Sequence, residues 1–78
     1  MSDKRAGDLR DLKPIGRRIR ELRGFDTTQE QLASSLGITQ GLLSRIEHGN
    51  RAPSAAVLRR LQKKYGKRVD WILTGKGK

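Results

Sequence analysis

The 78-residue sequence contains no cysteine, one histidine, and one each of phenylalanine, tyrosine and tryptophan. Without cysteine the chain forms no disulfide and no thiolate metal site, as expected for a protein of a reducing cytoplasm. The eight acidic residues are scattered along the chain and no phosphate-binding glycine loop is present, so no catalytic constellation emerges. We therefore expect neither an enzyme nor a cofactor. So small a core also leaves no room for a small-molecule ligand.

Long apolar runs are missing as well. No window approaches the length of a membrane-spanning helix, and the opening segment, "MSDKRAGDLR", lacks the apolar core of a signal peptide. We expect a cytoplasmic protein with no membrane partner.

What the sequence has in excess is positive charge. Basic residues outnumber acidic ones by 18 to 8, which gives a formal net charge of +10 and an isoelectric point near 11.2. Such a charge favours a polyanionic partner, with nucleic acid first. Residues 52–78 hold eight basic residues and one acidic residue, and so carry +7 of the total. Net charge predicts attraction to nucleic acid, whereas recognition of a base sequence depends on individual side chains.

Apolar residues recur at helical spacing in five segments, and no segment alternates as a strand would. The first stripe consists of Ile15, Ile19 and Leu22, in a helix predicted over residues 14–23. Pro14 suits its first position, where the missing N–H would be unpaired anyway. The spacing predicts an all-α fold of five helices.

These helices are predicted to form one domain over residues 14–75. Residues 1–13 mix charges without an apolar pattern and are predicted to be a flexible arm, and residues 76–78 a flexible tail or the start of a linker. Phe25, in the break after the first helix, is predicted to close one end of the core. We expect either a minimal protein or the first domain of a longer one.

Polar residues suited to begin helices precede the later apolar stripes. Thr28 with Gln31 three residues on forms a capping box, and Thr39 and Ser54 can cap the third and fourth helices. Gly37 lies just after the last apolar residue of the second helix, where a left-handed residue is favourable. The second helix and the third, predicted to run to about residue 48, are therefore joined by a short turn.

This pair of helices meets the conditions of a helix-turn-helix. Ala33 supplies the small side chain needed where the helices cross, and Gly37 supplies the turn. The apolar residues that must flank both positions are present in one register: Leu32, Leu36, Ile38, Leu43 and Ile46. One glycine between two amphipathic helices would be weak evidence, whereas this joint match is specific.

Residues 15–75 resemble the DNA-binding domain of the lambda-repressor-like (Cro/cI-type, XRE) helix-turn-helix family, a compact five-helix fold. The resemblance lies in "IGRRIRELR", "TQEQLASSLGITQGLLSRIEHGNRAPS" and "VDWILTG". It implies that the third helix enters the major groove of DNA, with four residues facing bases: Gln40, Gly41, Ser44 and Arg45. It also implies phosphate contacts by Thr28, Gln29, Thr39, Asn50 and Arg51, and a structural pair of Arg23 with Glu47.

The outward face of the third helix supports this interpretation independently. At 100° per residue, the face opposite the apolar stripe carries Gln40, Gly41, Ser44, Arg45 and His48. With one arginine, this face suits discrimination between bases better than attraction of phosphate. Glutamine can bond adenine N6 and N7, and arginine can bond guanine O6 and N7.

Two residues of this face have competing interpretations. In one interpretation, Gly41 lets the third helix come close to the groove or to a thymine methyl. In the other, it is only a position where a side-chain contact has been lost, which the first turn of a helix tolerates. His48 invites a metal or catalytic role, but a histidine in the last turn is already explained by its favourable interaction with the helix carbonyls.

Two further regions have predicted roles. A solvated basic face that attracts DNA at long range is predicted for Arg59, Arg60, Lys63, Lys64, Lys67 and Arg68. Trp71 is predicted to pack in the core, and its neighbourhood is a candidate for self-association through Arg68, Val69 and Trp71.

The leading functional interpretation is a sequence-specific DNA-binding transcriptional regulator. We expect a repressor of phage or bacterial type that binds a palindromic operator as a homodimer, with half-sites about one helical turn apart. An antitoxin or restriction-controller regulator would use the same domain. A non-specific basic nucleic-acid-binding protein is a third possibility, which the nearly uncharged face of the third helix disfavours.

Overall fold

A computed structural model describes residues 11–77, and all regular structure within them is helical. The elements are α1 (Lys13–Arg23), α2 (Gln29–Leu36), α3 (Gln40–Glu47), α4 (Ala55–Tyr65) and α5 (Val69–Thr74). The predicted all-α fold with five helices is therefore confirmed. α1 begins one residue earlier than predicted, and α3 ends one residue earlier. Residues 1–10 of the predicted arm, and residue 78 of the predicted tail, lie outside the described residues.

Side-chain caps begin the three middle helices. Thr28 Oγ1 accepts a hydrogen bond from the Gln31 amide at 3.0 Å, while Gln31 Oε1 accepts one from the Thr28 amide at 2.9 Å. The Thr39 hydroxyl caps α3 and the Ser54 hydroxyl caps α4, each by accepting a hydrogen bond at 3.1 Å from the amide three residues on. Each cap stabilises its helix by about 1 kcal/mol. Gly37 ends α2 at φ 73° and ψ 27°, the left-handed conformation predicted for the turn.

The core is a cluster of ten buried apolar residues contributed by all five helices. Its members are Ile15, Ile19, Leu32, Ala33, Leu36, Leu43, Ile46, Val57, Leu61 and Ile72. Trp71 and Leu73 are partly buried and pack against this cluster, as predicted for the tryptophan. Val69, the first residue of α5, is half-buried and lies outside the cluster.

Phe25 contradicts the prediction that it closes the core, because its side chain is fully exposed at 105%. Gly24, at φ 70° and ψ −165°, turns the chain out of α1, and Phe25 follows in the loop before α2. The apolar cluster is complete without it. A turn, and not hydrophobicity, determines where this aromatic residue lies.

Two arginines bond the carbonyl ends of other helices, contacts that the sequence pattern does not predict. Arg18 donates from Nε to the Ile72 carbonyl at 2.8 Å and from Nη2 to the Leu73 carbonyl at 3.0 Å. Arg60 donates from Nη1 to the Leu36 carbonyl at 2.7 Å, at the C-terminal end of α2. These carbonyls lie in the last turn of their helices, where no later amide of the same helix donates to them, and the two arginines supply the missing hydrogen bonds. Arg60 is thus a structural residue as well as part of the basic face.

Gly16 brings α1 and α3 into close contact. It is buried, and a Cβ there would lie 2.5 Å from the Glu47 carbonyl oxygen and closer still to that of Ile46. These are backbone atoms in the last turn of α3, so they cannot swing aside as a flexible side chain would. The absence of a side chain at Gly16 therefore sets the distance between the two helices.

We expect Gly16→Ala to lower the free energy of unfolding by about 1–3 kcal/mol, because extra atoms in a packed interior force a backbone shift. Gly41→Ala is the matched control, since a Cβ at that helical glycine meets nothing within 4 Å. That variant should gain up to about 1 kcal/mol from helix propensity. Denaturant unfolding measures both, and equal changes for the two variants would contradict the close-approach explanation.

Candidate DNA-binding surface

α3 presents one buried side and one exposed side. Leu43 and Ile46 are buried against the core, where α3 packs chiefly on α1 and α2. The opposite side exposes Gln40, Gly41 and Arg45. Ser44, predicted to lie on the same face, is half-buried at its edge. The predicted outward face therefore exists, with Gln40 and Arg45 as its two long side chains.

The last residue of α3 is held by a bidentate ion pair with the last residue of α1. Arg23 donates from Nε to Glu47 Oε2 at 2.8 Å and from Nη2 to Glu47 Oε1 at 3.0 Å. The Glu47 side chain is only 3% exposed and that of Arg23 16%. The hydrogen bond to Glu47 raises the pKa of Arg23 above its ordinary value, although burial opposes it. A third donor bond, from Nη1 to the Thr27 carbonyl at 3.1 Å, extends the link to the start of α2.

Gln29 joins this pair to the exposed face of α3. Its Nε2 donates to Glu47 Oε1 at 2.9 Å, and its Oε1 accepts a longer bond from Gln40 Nε2 at 3.4 Å. One side chain therefore contacts both the buried carboxylate and the first exposed residue of α3. Sequence reasoning assigned Gln29 to phosphate and Gln40 to bases without detecting that they touch. The two residues lie eleven positions apart on different helices, so no helical periodicity relates them.

The N-termini of α2 and α3 present main-chain amides without intrahelical acceptors. The Thr28 and Thr39 hydroxyls satisfy the amides of Gln31 and Leu42. The two amides that open each helix therefore remain for an external acceptor. Such amides, together with the helix dipole, form a suitable environment for a phosphate group.

The loop after α3 is fixed at several points. The Asn50 amide donates to the Arg45 carbonyl at 2.8 Å, and His48 Nδ1 lies 2.7 Å from the Ser44 carbonyl oxygen and so donates its proton there. Gly49, at φ 79°, lies against Lys13, whose Cγ would be 2.7 Å from a Cβ at Gly49. Asn50 and Arg51 are exposed beyond it. His48 thus has the structural role predicted for it.

Tyr65, at the end of α4, places a hydroxyl in the interior with no hydrogen-bond partner within residues 11–77. Burial raises the pKa of this phenol, the positive charge of Arg23 lowers it, and the negative charge of Glu47 raises it. The pKa of Tyr65 therefore lies above its ordinary value, chiefly because of burial.

The three candidate dimer residues lie together around the start of α5. Arg68 and Val69 are the N-cap and first residue of α5, and Trp71 is half-buried. Arg68 Nη2 lies 3.9 Å from Asp70 Oδ2 in an exposed pair, and Lys67 Nζ lies 5.1 Å from the centre of the Trp71 ring.

No group of three His, Asp or Glu side chains within the described residues is close enough to hold a metal ion. None of the helices described there has the length and apolarity needed to cross a bilayer.

A sequence profile of the helix-turn-helix family matches residues 17–72, which include all of α2 to α4 and most of α1 and α5. The chain belongs to the helix-turn-helix family. This confirms the resemblance drawn from the residues of the motif.

Among other members, the Bacillus subtilis (strain 168) protein named "Uncharacterized HTH-type transcriptional regulator YazB" is 52% identical over 46 residues. The alignment covers 55% of this helix-turn-helix chain and 64% of YazB, so the match spans less than two thirds of the relative. No solved structure matches the chain significantly.

The Arg23–Glu47 pair should be strongly coupled in stability. We expect Arg23→Met and Glu47→Gln each to lower the free energy of unfolding by about 2–4 kcal/mol, because each leaves a largely buried partner unpaired. The double variant should lose about 1–3 kcal/mol less than the sum of the two. Denaturant unfolding of all four proteins completes the cycle.

The control for this cycle is Arg68→Ala, which removes the exposed pair with Asp70 and should leave stability unchanged within error. Additive losses from Arg23→Met and Glu47→Gln would show that the two residues do not act as a unit.

Proposed function

We propose that this helix-turn-helix protein is a sequence-specific DNA-binding transcriptional regulator whose α3 reads an operator half-site in the major groove. The observation that carries the proposal is the two-sided character of α3. Its buried side is fixed by Leu43, Ile46 and Glu47, while its exposed side presents Gln40 and Arg45, which suit recognition of bases. An α-helix of about 10–12 Å diameter fits the major groove, which is about 12 Å wide.

In this proposal, phosphate contacts orient the domain without reading sequence. The opening amides of α2, next to Thr28 and Gln29, bind one phosphate, and those following Thr39 lie close to a second. Asn50 and Arg51, exposed beyond α3, bind the backbone on the other side of the groove. Because the Gln29 side chain is bonded to Glu47 and Gln40, its contribution to phosphate binding comes through its main-chain amide.

As a regulator, the protein would act as a repressor by occupying promoter DNA and excluding polymerase. Two copies on a palindromic operator, related by a two-fold axis, would place their α3 helices about one DNA turn apart. The start of α5 supplies the contact between copies, with half-buried Val69 and Trp71 as its apolar part and Arg68 beside them. Its place of action is the bacterial cytoplasm, where the DNA lies. The name of YazB as a transcriptional regulator supports the same class.

Removing a base contact and removing a phosphate contact should change DNA binding in different ways. Selection of bound sites from random duplexes should yield a palindromic preference, and Gln40→Ala and Arg45→Ala should each relax it at a different position by about 1–3 kcal/mol. Arg51→Ala should instead weaken all sites alike and reduce the slope of log affinity against log salt by about 1. A uniform loss from all three variants would contradict sequence reading by α3.

Gly41 allows a separate test of how closely α3 approaches the bases. A Cβ at this position is unobstructed in the free protein, so Gly41→Ala should fold at least as well as the natural chain. In the complex the added methyl group would occupy the space between α3 and the base edges, and we expect roughly tenfold weaker operator binding, equivalent to about 1.4 kcal/mol.

Fluorescence anisotropy with a labelled operator measures this change, and Ser34→Ala, on the exposed side of α2, is the control. Unchanged affinity for Gly41→Ala would mean that the glycine marks only a missing side-chain contact and that α3 does not approach the bases closely there.

A further inference from the structure

A second cationic surface lies on α4. Arg59 and Lys63, one helical turn apart and exposed, line an open surface groove together with Ala56, Arg60 and Gln62. We call these five residues the α4 basic face. No acidic residue occurs between Glu47 and Asp70 in the sequence, so no neighbouring carboxylate along the chain offsets this charge.

The cations of this region differ in whether they already interact with other groups of the protein. Arg60 bonds the Leu36 carbonyl, Lys64 Nζ lies 5.7 Å from the Tyr65 ring centre, and Arg68 lies near Asp70. Arg59 and Lys63, by contrast, make no hydrogen bond or ion pair within residues 11–77. Among the described residues, these two positive charges therefore have no partner, and they lie on one side of one helix.

The α4 basic face is separate from the exposed side of α3. α3 packs chiefly against α1 and α2, whereas α4 packs chiefly against α5 and α2. Both helices direct their buried residues to the same core, Leu43 and Ile46 from α3 and Val57 and Leu61 from α4. Their exposed sides point away from that common core, and the α4 basic face is taken to stay open when α3 is bound to DNA.

The chemistry of this face favours a nucleic-acid backbone over a protein. Protein interfaces depend on aromatic or large aliphatic anchors buried at their centre. The α4 basic face offers cations, one amide and the methyl group of Ala56, but no such anchor. Contacts to phosphate need only closely spaced cations, which release counterions from DNA when they bind.

We propose that the α4 basic face binds the sugar-phosphate backbone of a second DNA duplex while α3 still holds the first. This inference rests on the proposed function, because it assumes that α3 contacts DNA. With two or three cations the second contact is weak and independent of base sequence. Its consequence is kinetic, since a protein that touches two duplexes at once passes directly from one to the other without first dissociating.

Direct transfer predicts that free DNA accelerates dissociation. A complex with labelled operator is mixed with unlabelled random-sequence duplex at about 1–100 μM, the range of non-specific dissociation constants, and loss of the label is followed by stopped flow. We expect the observed dissociation rate of the natural chain to rise several-fold across this range. Spontaneous dissociation alone gives a rate that does not depend on competitor concentration.

The test variant is Arg59→Ala/Lys63→Ala, which should abolish the dependence on competitor and leave equilibrium operator affinity within about twofold at matched salt. The matched control is Arg17→Ala/Arg20→Ala, which removes the same charge from exposed positions of α1 and should retain the dependence. Arg60 is left in place because it holds the end of α2. Circular dichroism melting of both double variants checks that they fold equally well.

Three results would overturn the inference. They are a rate for the natural chain that does not depend on competitor, equal loss of the dependence in both double variants, and acceleration by polyglutamate equal to that by DNA at the same charge concentration. None of these affects the operator preference, which is measured at equilibrium. A natural chain without operator preference would instead refute the proposed function, whatever its transfer kinetics.

Discussion

The Glu47 carboxylate is the interaction on which the geometry of this domain depends. It is almost fully buried and accepts three hydrogen bonds, two from Arg23 and one from Gln29. A buried carboxylate is tolerated only when its acceptor capacity is satisfied. Satisfying it requires the end of α1, the start of α2 and the end of α3 to meet at one point. The orientation of α3, and hence of its exposed side, follows from that requirement.

Gly16 acts at the same junction by a different mechanism. The carboxylate is attractive and directional, whereas the missing Cβ at Gly16 removes a repulsive contact and lets the α3 backbone come near α1. The hydrogen bonds between Arg23 and Glu47, about 3 Å long, require a particular distance between α1 and α3, and the glycine allows the helices to reach that distance. The two features are therefore complementary, because Arg23 reaches Glu47 in this geometry only if α1 and α3 are this close.

Much of this arrangement could be predicted from local sequence signals. The capping threonines, the left-handed Gly37 and the apolar periodicity act over three or four residues, so the sequence around Thr28 and Thr39 was enough to place the helix-turn-helix. The prediction for Phe25 was wrong, and the carbonyl contacts of Arg18 and Arg60 were not predicted, because a loop or carbonyl groups distant in sequence determine these environments. The contact of Gln29 with both Glu47 and Gln40 is of the same kind, since it exists only once α2 and α3 have packed.

In the proposed function, the distribution of charge separates recognition of bases from attraction to DNA. The exposed side of α3 carries Arg45 as its one formal charge, so electrostatic affinity there is low and an incorrect base sequence is not held strongly by charge alone. Most of the net positive charge lies instead after residue 51, beginning with Arg59 on α4. Had the same cations been placed on α3, they would bind phosphate at any sequence and reduce the fraction of the binding energy that depends on base identity. In the proposed function, placing them on another helix would keep the protein attracted to DNA while the choice of site would remain with Gln40 and Arg45.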